Sequence, residues 1–126
     1  QEMALEYVPQ RETFGAPLST RQSIQWMLVD NDIDIRQSLW ITVEAASKAQ
    51  QGESFRKEAA MAKLVATEAG GRVVDRCMQM FGGLGVAKDL PFERWYREMR
   101  IRRIGEGPSE VQRHVIAREL LGASLR

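Results

Sequence analysis

Glu106 stands between two glycines in the run from Arg103 to Glu110, Arg-Ile-Gly-Glu-Gly-Pro-Ser-Glu. A carboxylate in a glycine-flanked turn can be aimed into a cavity that helical geometry would deny it. In an apolar cavity its affinity for a proton rises, and it becomes a usable base near neutral pH. The helix that follows pulls the other way, because its N-terminal dipole favours the ionised form. Two readings stay open: a general base, or an acid serving the helix dipole. The residues alone favour the second.

Three other groups of residues bear on chemistry. Gly82, Gly83 and Gly85 in Gln-Met-Phe-Gly-Gly-Leu-Gly would let backbone approach a phosphate. A dinucleotide fingerprint needs a strand before such glycines and a helix start after them. Here a helix pattern precedes them, so a helix stop is the favoured reading. Arg94, Arg97, Arg100, Arg102 and Arg103 form a basic run interleaved with Glu93 and Glu98. That reads as a solvated or interface face rather than a nucleic-acid contact. His114 has no Cys, Ser or Asp constellation around it and reads as a packed or surface histidine.

Positioning these residues is the work of helices. Val8 to Ser19 holds Pro9, Gly15 and Pro17 and reads as a loop. Neither Gly nor Pro occurs from Ser19 to Gln51, where Ile24, Met27, Leu28, Ile35, Leu39, Val43 and Ala46 recur at helical spacing. Ser19 or Thr20 would cap that helix. A second helix is expected over Glu53–Phe81, with Phe55, Ala59, Ala62, Ala66, Ala69, Val73, Cys77 and Met80 on one face. Its small side chains suit close approach, and Gly70-Gly71 marks either a kink or tight packing. After a loop over Gly82–Pro91, shorter helices are expected over Phe92–Arg103 and Pro108–Leu121, the latter stopped by Gly122. No strand pattern competes. The expected fold is an all-α, antiparallel up-down four-helix bundle, one domain over residues 1–126.

Composition sets bounds. The 126 residues are 44% hydrophobic and 28% charged, which suits one soluble domain with a modest core. The 18 Lys and Arg nearly balance 17 Asp and Glu, so no global charge draws nucleic acid or anionic lipid. Cys77 is the single cysteine and His114 the single histidine, which makes an internal disulfide impossible and a zinc site implausible. No stretch approaches the roughly 20 apolar residues of a membrane span. No signal-peptide pattern is visible, and the chain opens on Gln1, so a longer parent is expected.

Taken together, the segment QMFGGLGVAKDLPFERWYREMRIRRIGEGPSEVQRHVIARELL and the earlier RETFGAPLSTRQSIQWMLVD resemble the C-terminal domain of acyl-CoA dehydrogenases. The resemblance covers nearly the whole chain in matching order. It implies an FAD-dependent oxidoreductase acting on an acyl-CoA thioester, in fatty acid metabolism. Glu106 matches the base that removes the proton alpha to the carbonyl, and Gly107 a substrate-facing turn position. Arg11, Thr13, Phe14 and Gln22 match positions that reach the FAD, several across a dimer interface. Gln79 and Gly83 match contacts to its diphosphate and adenosine, and Pro108 and Glu110 match further flavin positions. Pro108 stands where the family usually has Thr, and it offers neither hydroxyl nor N–H. Gly105 stands where the family often has Tyr or Phe, which leaves the wall of the acyl pocket more open or differently filled.

The resemblance further implies a homo-oligomer, dimer or tetramer, with electron-transfer flavoprotein as electron acceptor. It places the protein in the cytoplasm, or the mitochondrial matrix of a eukaryote. The family also carries an N-terminal helical domain and a middle β-domain that complete the pockets. This chain is therefore expected to hold half a site, to bind FAD weakly or not at all alone, and to be inactive alone. The competing expectations are a non-catalytic helical oligomerisation module and, more remotely, a basic anion-binder built on Arg94 to Arg103.

Overall fold

The computed structural model describes residues 1–122. Six helices and one small hairpin follow in the order α1 (Glu2–Tyr7), β1 (Glu12–Thr13), β2 (Ala16–Pro17), a 3-10 turn (Leu18–Thr20), α2 (Gln22–Gln50), α3 (Arg56–Phe81), α4 (Gly83–Val86), α5 (Phe92–Arg102) and α6 (Ser109–Leu121). The four helices expected from the apolar spacing are all present. The hairpin lies inside the segment read as a loop, with Glu12 opposite Pro17 and Thr13 opposite Ala16. Gly82–Pro91 likewise holds one helical turn.

α2 and α3 form the central pair. Lys48 meets Glu58, Asp34 meets Arg72 and Asn31 meets Cys77, a rising-against-falling order that makes the pair antiparallel. α5 and α6 pack on another face of α3, which is thus the common partner of the bundle. Gly70 settles the choice between kink and close packing. A Cβ there would stand 2.8 Å from Met99 Sδ, so the glycine admits α5.

The apolar core gathers at one end. Ala4, Val8, Ile24, Cys77, Met80, Phe81 and Phe92 are buried together, where α1, the start of α2, the end of α3 and the start of α5 meet. Tyr7 stacks on Phe81 with centroids 4.1 Å apart, Phe81 meets Phe92 at 4.6 Å, and Trp95 meets Phe92 edge-on at 5.7 Å. Such aromatic pairs add about 0.5–1.5 kcal/mol each beyond the area they bury.

Several expectations about detail are corrected. Neither Ser19 nor Thr20 caps α2; Arg21 is the cap residue. The Thr20 hydroxyl is already committed, donating to the Pro17 carbonyl at 2.7 Å within the 3-10 turn. α3 starts at Arg56, leaving Phe55 outside it and exposed. Pro108 caps α6 instead of opening its first turn.

The largest correction concerns the face of α2. Ile24 is buried as expected, but Ile35, Leu39, Val43 and Ala46 are exposed. The residues buried against α3 are Ile24, Asn31, Asp34 and Ala45. The physical reason lies on α3. Arg72 donates to Asp34 through Nε at 3.1 Å and Nη2 at 2.5 Å, and Arg76 Nη1 donates to Asp34 at 2.7 Å and to Asn31 at 3.3 Å. Paired and hydrogen-bonded, these polar groups can be withdrawn from water. Met27 and Leu28 still pack half-buried against the core beside Ile24, but from Ile35 onward the apolar stripe of α2 faces outward, and Trp26, Val29, Ile33 and Trp40 are exposed as well.

Candidate functional site

The turn between α5 and α6 is built around Glu106. Its φ is +54°, and that of Gly107 is +90°. A left-handed φ costs a non-glycine residue on the order of 1–3 kcal/mol, and such strain concentrates at functional sites. Only one of the two flanking glycines is required by conformation. Gly107 has positive φ, and a Cβ on it would stand 2.5 Å from Gln112 Nε2. Gly105 has no positive φ, and its nearest neighbour to a Cβ would be the Ile101 carbonyl at 3.5 Å, an ordinary contact. A Cβ is accommodated there, so neither the backbone conformation nor close packing demands glycine at position 105.

α3 braces the turn from below. Lys63 Nζ donates to the Gly105 carbonyl at 2.9 Å and also to the Gly107 carbonyl. Gln112 Nε2 donates to the same Gly107 oxygen at 3.0 Å. One turn and a little further along α3, Glu68 accepts from Ser109 Oγ at 2.7 Å and forms an ion pair with Arg103 Nη2 at 2.9 Å. Burial pushes the Glu68 carboxyl up, but the Ser109 hydrogen bond and the Arg103 charge together hold it below its usual value. Lys63, Thr67, Glu98, Ile101, Arg102, Gly105 and Glu106 line an open cavity of about 580 Å³. Glu106 is exposed at its mouth. The apolar enclosure that would make it a strong base is not supplied by these helices. Its backbone N–H makes no hydrogen bond among the described residues.

The remaining candidates lie at the other end of the bundle. Phe14 and Gly15 occupy the tip of the hairpin with φ of +50° and +73°. Two successive positive φ values match the right-handed twist of a two-residue hairpin. Arg21 Nη2 fixes this tip, donating to the Thr13 carbonyl at 2.8 Å and to the Phe14 carbonyl at 3.4 Å. Phe14 is 100% exposed, an aromatic ring held out on a strained backbone. Arg11 and Gln22 are exposed on either side of the hairpin, and Thr13 is half-buried. Gln79, on the last turn of α3, lines an open cavity of about 300 Å³ with Asp75, Met78, Gly82, Val86 and Tyr96. Gly82 takes φ +59° and stops α3, as the helix-stop reading of the glycines required. Gly83 starts α4, and a Cβ there would meet nothing.

The candidate residues therefore form two sets. Pro108 and Glu110 lie with Glu106 and Gly107 near Lys63, whereas Arg11, Thr13, Phe14, Gln22, Gln79 and Gly83 gather where α2 begins and α3 ends. Lys63 and Gln79 are sixteen positions apart on α3, roughly 24 Å along the helix axis at 1.5 Å per residue. Neither of the two cavities described above spans both. His114 is exposed. In the basic run, Arg97 pairs with Glu93 at 2.9 Å, Arg94 with Glu98 at 3.5 Å, and Arg103 with Glu68.

Sequence reasoning missed Lys63 and Glu68. The signal for Lys63 was present: one cation inside the small, apolar run Ala-Ala-Met-Ala-Lys-Leu-Val-Ala.

Comparison with known proteins fits this architecture. Residues 1–121 match the family described as acyl-CoA dehydrogenase, C-terminal domain. The chain belongs to that family. It is 44% identical over 118 residues to the mitochondrial short-chain specific acyl-CoA dehydrogenase of Bos taurus, covering 94% of this chain and 29% of that protein. The solved butyryl-CoA dehydrogenase of Megasphaera elsdenii superposes with a TM-score of 0.90 at 40% identity, over 94% of this chain and 31% of that one. A structure described as the FAD complex of PigA superposes with a TM-score of 0.91 at 29% identity, over 94% and 31% of the two chains. The chain thus spans under a third of the length of these relatives.

Proposed function

We propose that this chain serves as the C-terminal domain of a longer FAD-dependent acyl-CoA dehydrogenase, with Glu106 as general base. One observation carries the reading: a carboxylate on a left-handed backbone, open to a cavity, with its own N–H free. In the reaction the Glu106 carboxylate takes a proton from the carbon alpha to the thioester carbonyl. The C–H bond on the beta carbon breaks with its electron pair leaving as hydride, and the alpha-beta double bond forms. The Glu106 N–H would donate to the carbonyl oxygen, where negative charge develops. Gly107 keeps backbone low beside the acyl group.

The residues at the other end suit a flavin. Open space where a Cβ of Gly83 would stand, with the exposed Gln79 amide one turn before it, permits close approach of a diphosphate. Arg11, Thr13, Phe14 and Gln22 would supply charge, hydrogen bonds and an aromatic face. Bound there, FAD would supply the hydride acceptor. The distance between the two sets is the reason to propose a homo-oligomer, in which a second copy's hairpin reaches the first copy's Glu106 end. Electron-transfer flavoprotein is the proposed acceptor, and the cytoplasm or the mitochondrial matrix the proposed compartment. Among the described residues no helix is long and apolar enough to cross a membrane.

The second reading, a helical association module, draws on the outward apolar face of α2, where Trp26 and Trp40 are exposed. Glu106→Gln in the full-length flavoenzyme separates the two. The substitution keeps size and hydrogen bonding but removes the base. Turnover of an acyl-CoA is expected to fall about 100- to 10,000-fold, with flavin content and melting temperature nearly unchanged. Retained turnover would overturn the assignment of Glu106.

A further inference from the structure

We infer that Lys63 is a positioning residue for Glu106, acting through the two carbonyl oxygens that flank it; the inference rests on the general-base reading above. Lys63 is half-buried on the face of α3 turned toward α5 and α6. A lysine in such a place ordinarily pairs with an acid. Two acids, Glu98 and Glu106, line the same cavity. Yet among the described residues Lys63 forms no ion pair with either. Its ammonium instead donates to the carbonyls of Gly105 and Gly107.

That choice has two consequences. The first is geometric. The Gly105 carbonyl lies in the peptide plane that enters Glu106 and the Gly107 carbonyl in the plane that leaves Gly107, so Lys63 ties both ends of the Glu106–Gly107 pair and the φ of +54° falls within the tied span. A residue in a sparsely populated conformation stays there only when its surroundings determine it. The second is chemical. Because the ammonium is committed to carbonyls, it does not tie up the Glu106 carboxylate, which remains available for a proton. The Lys63 carbonyl accepts from Thr67 Oγ1 at 2.9 Å, which adds an anchor within α3 on the wall of the same cavity.

The test uses the full-length flavoenzyme, with Lys63→Met removing the donors and keeping the length. Misplacement of a catalytic group by about 1 Å costs on the order of 100-fold, so kcat should fall by about that factor while KM and flavin content hold. Hydrogen exchange gives a readout independent of turnover. The Ser109 amide donates across the turn to the Arg103 carbonyl at 3.2 Å, and it should exchange faster in Lys63→Met. Lys63→Arg keeps charge and donors and should recover part of the lost turnover. Lys48→Met is the structural control. It removes an ion pair with the buried Glu58 on the same bundle, so it should lower the melting temperature and leave kcat alone. Normal kcat with unchanged Ser109 exchange in Lys63→Met overturns the inference, as does a folded Lys63→Arg no better than Lys63→Met. If Lys63→Met does not fold, Lys63→Gln takes its place with the same readouts. Glu106→Gln run alongside keeps the two claims apart. Full turnover in that variant defeats the base reading, and faster Ser109 exchange in Lys63→Met would still show the anchor.

Discussion

Arg72 on α3 grips Asp34 on α2 with two parallel hydrogen bonds, Nε at 3.1 Å and Nη2 at 2.5 Å, and so turns the polar side of α2 inward. The Arg72 hydrogen bond, against the opposing effect of burial, holds the Asp34 carboxyl below the usual carboxylate range. Asp34→Ala leaves Arg72 and Arg76 facing each other without their shared anion. We expect a loss of about 2 kcal/mol, less than the 3–5 kcal/mol of a fully buried broken pair because Arg72 is half exposed. Urea unfolding of the two proteins measures it.

Glu106→Gly should separate stability from function. Glycine adopts positive φ without steric cost, so the strain at this position is relieved, offset in part by the greater freedom of glycine in the unfolded chain. The expected outcome is a gain of up to about 1 kcal/mol in calorimetry, together with loss of dehydrogenase turnover. A destabilised variant would show that the side chain holds the turn together.

Gly83→Ala and Gly85→Ala should behave oppositely though two residues apart. A Cβ on Gly85 would stand 2.7 Å from the Met78 carbonyl, a backbone atom that cannot yield. That substitution should cost about 1–3 kcal/mol. A Cβ on Gly83 meets nothing, and alanine there should stabilise by about 0.5 kcal/mol through the unfolded chain. In the flavoenzyme the same Gly83→Ala should lower flavin retention, read from the absorbance ratio of purified protein.

Acid should loosen the far end of the α2–α3 pair in a defined window. Lys48 Nζ donates to the buried Glu58 carboxylate at 2.7 Å, and this bond is the main reason its pKa falls from 4.5 to about 2. A carboxylate whose folded-state pKa is depressed gives its full stabilisation above the unfolded value and loses it as pH falls toward the folded one. Melting temperature should therefore decline between about pH 4.5 and pH 2, and Glu58→Gln should flatten that decline.

Trp40 is 67% exposed on the outward side of α2. A buried tryptophan at an interface is worth about 2 kcal/mol or more, and replacing it by arginine adds an unpaired charge. Trp40→Arg should shift the full-length enzyme toward smaller species in sedimentation velocity without changing its helical content by circular dichroism.

The amino-acid sequence by itself determined the helices. Apolar and small residues at spacings of three and four, with Gly and Pro between the runs, are local properties of backbone and side chain. They set α2, α3, α5 and α6 to within a few residues. The motif around Glu106 and the glycines after Gln79 were equally local, and so was the family resemblance they carry. Which side of α2 is buried was not local. The helix carries an apolar stripe and a polar one, and Arg72 and Arg76, some forty residues later, decided for the polar stripe. Lys63 could not be assigned for the same reason, since its acceptors are 42 and 44 residues away. The separation of the candidate residues into two ends follows from the straight run of α3 between them, a distance no motif spacing states. Periodicity is written in the chain because each turn of helix repeats it; partners across the bundle are chosen only when the helices meet.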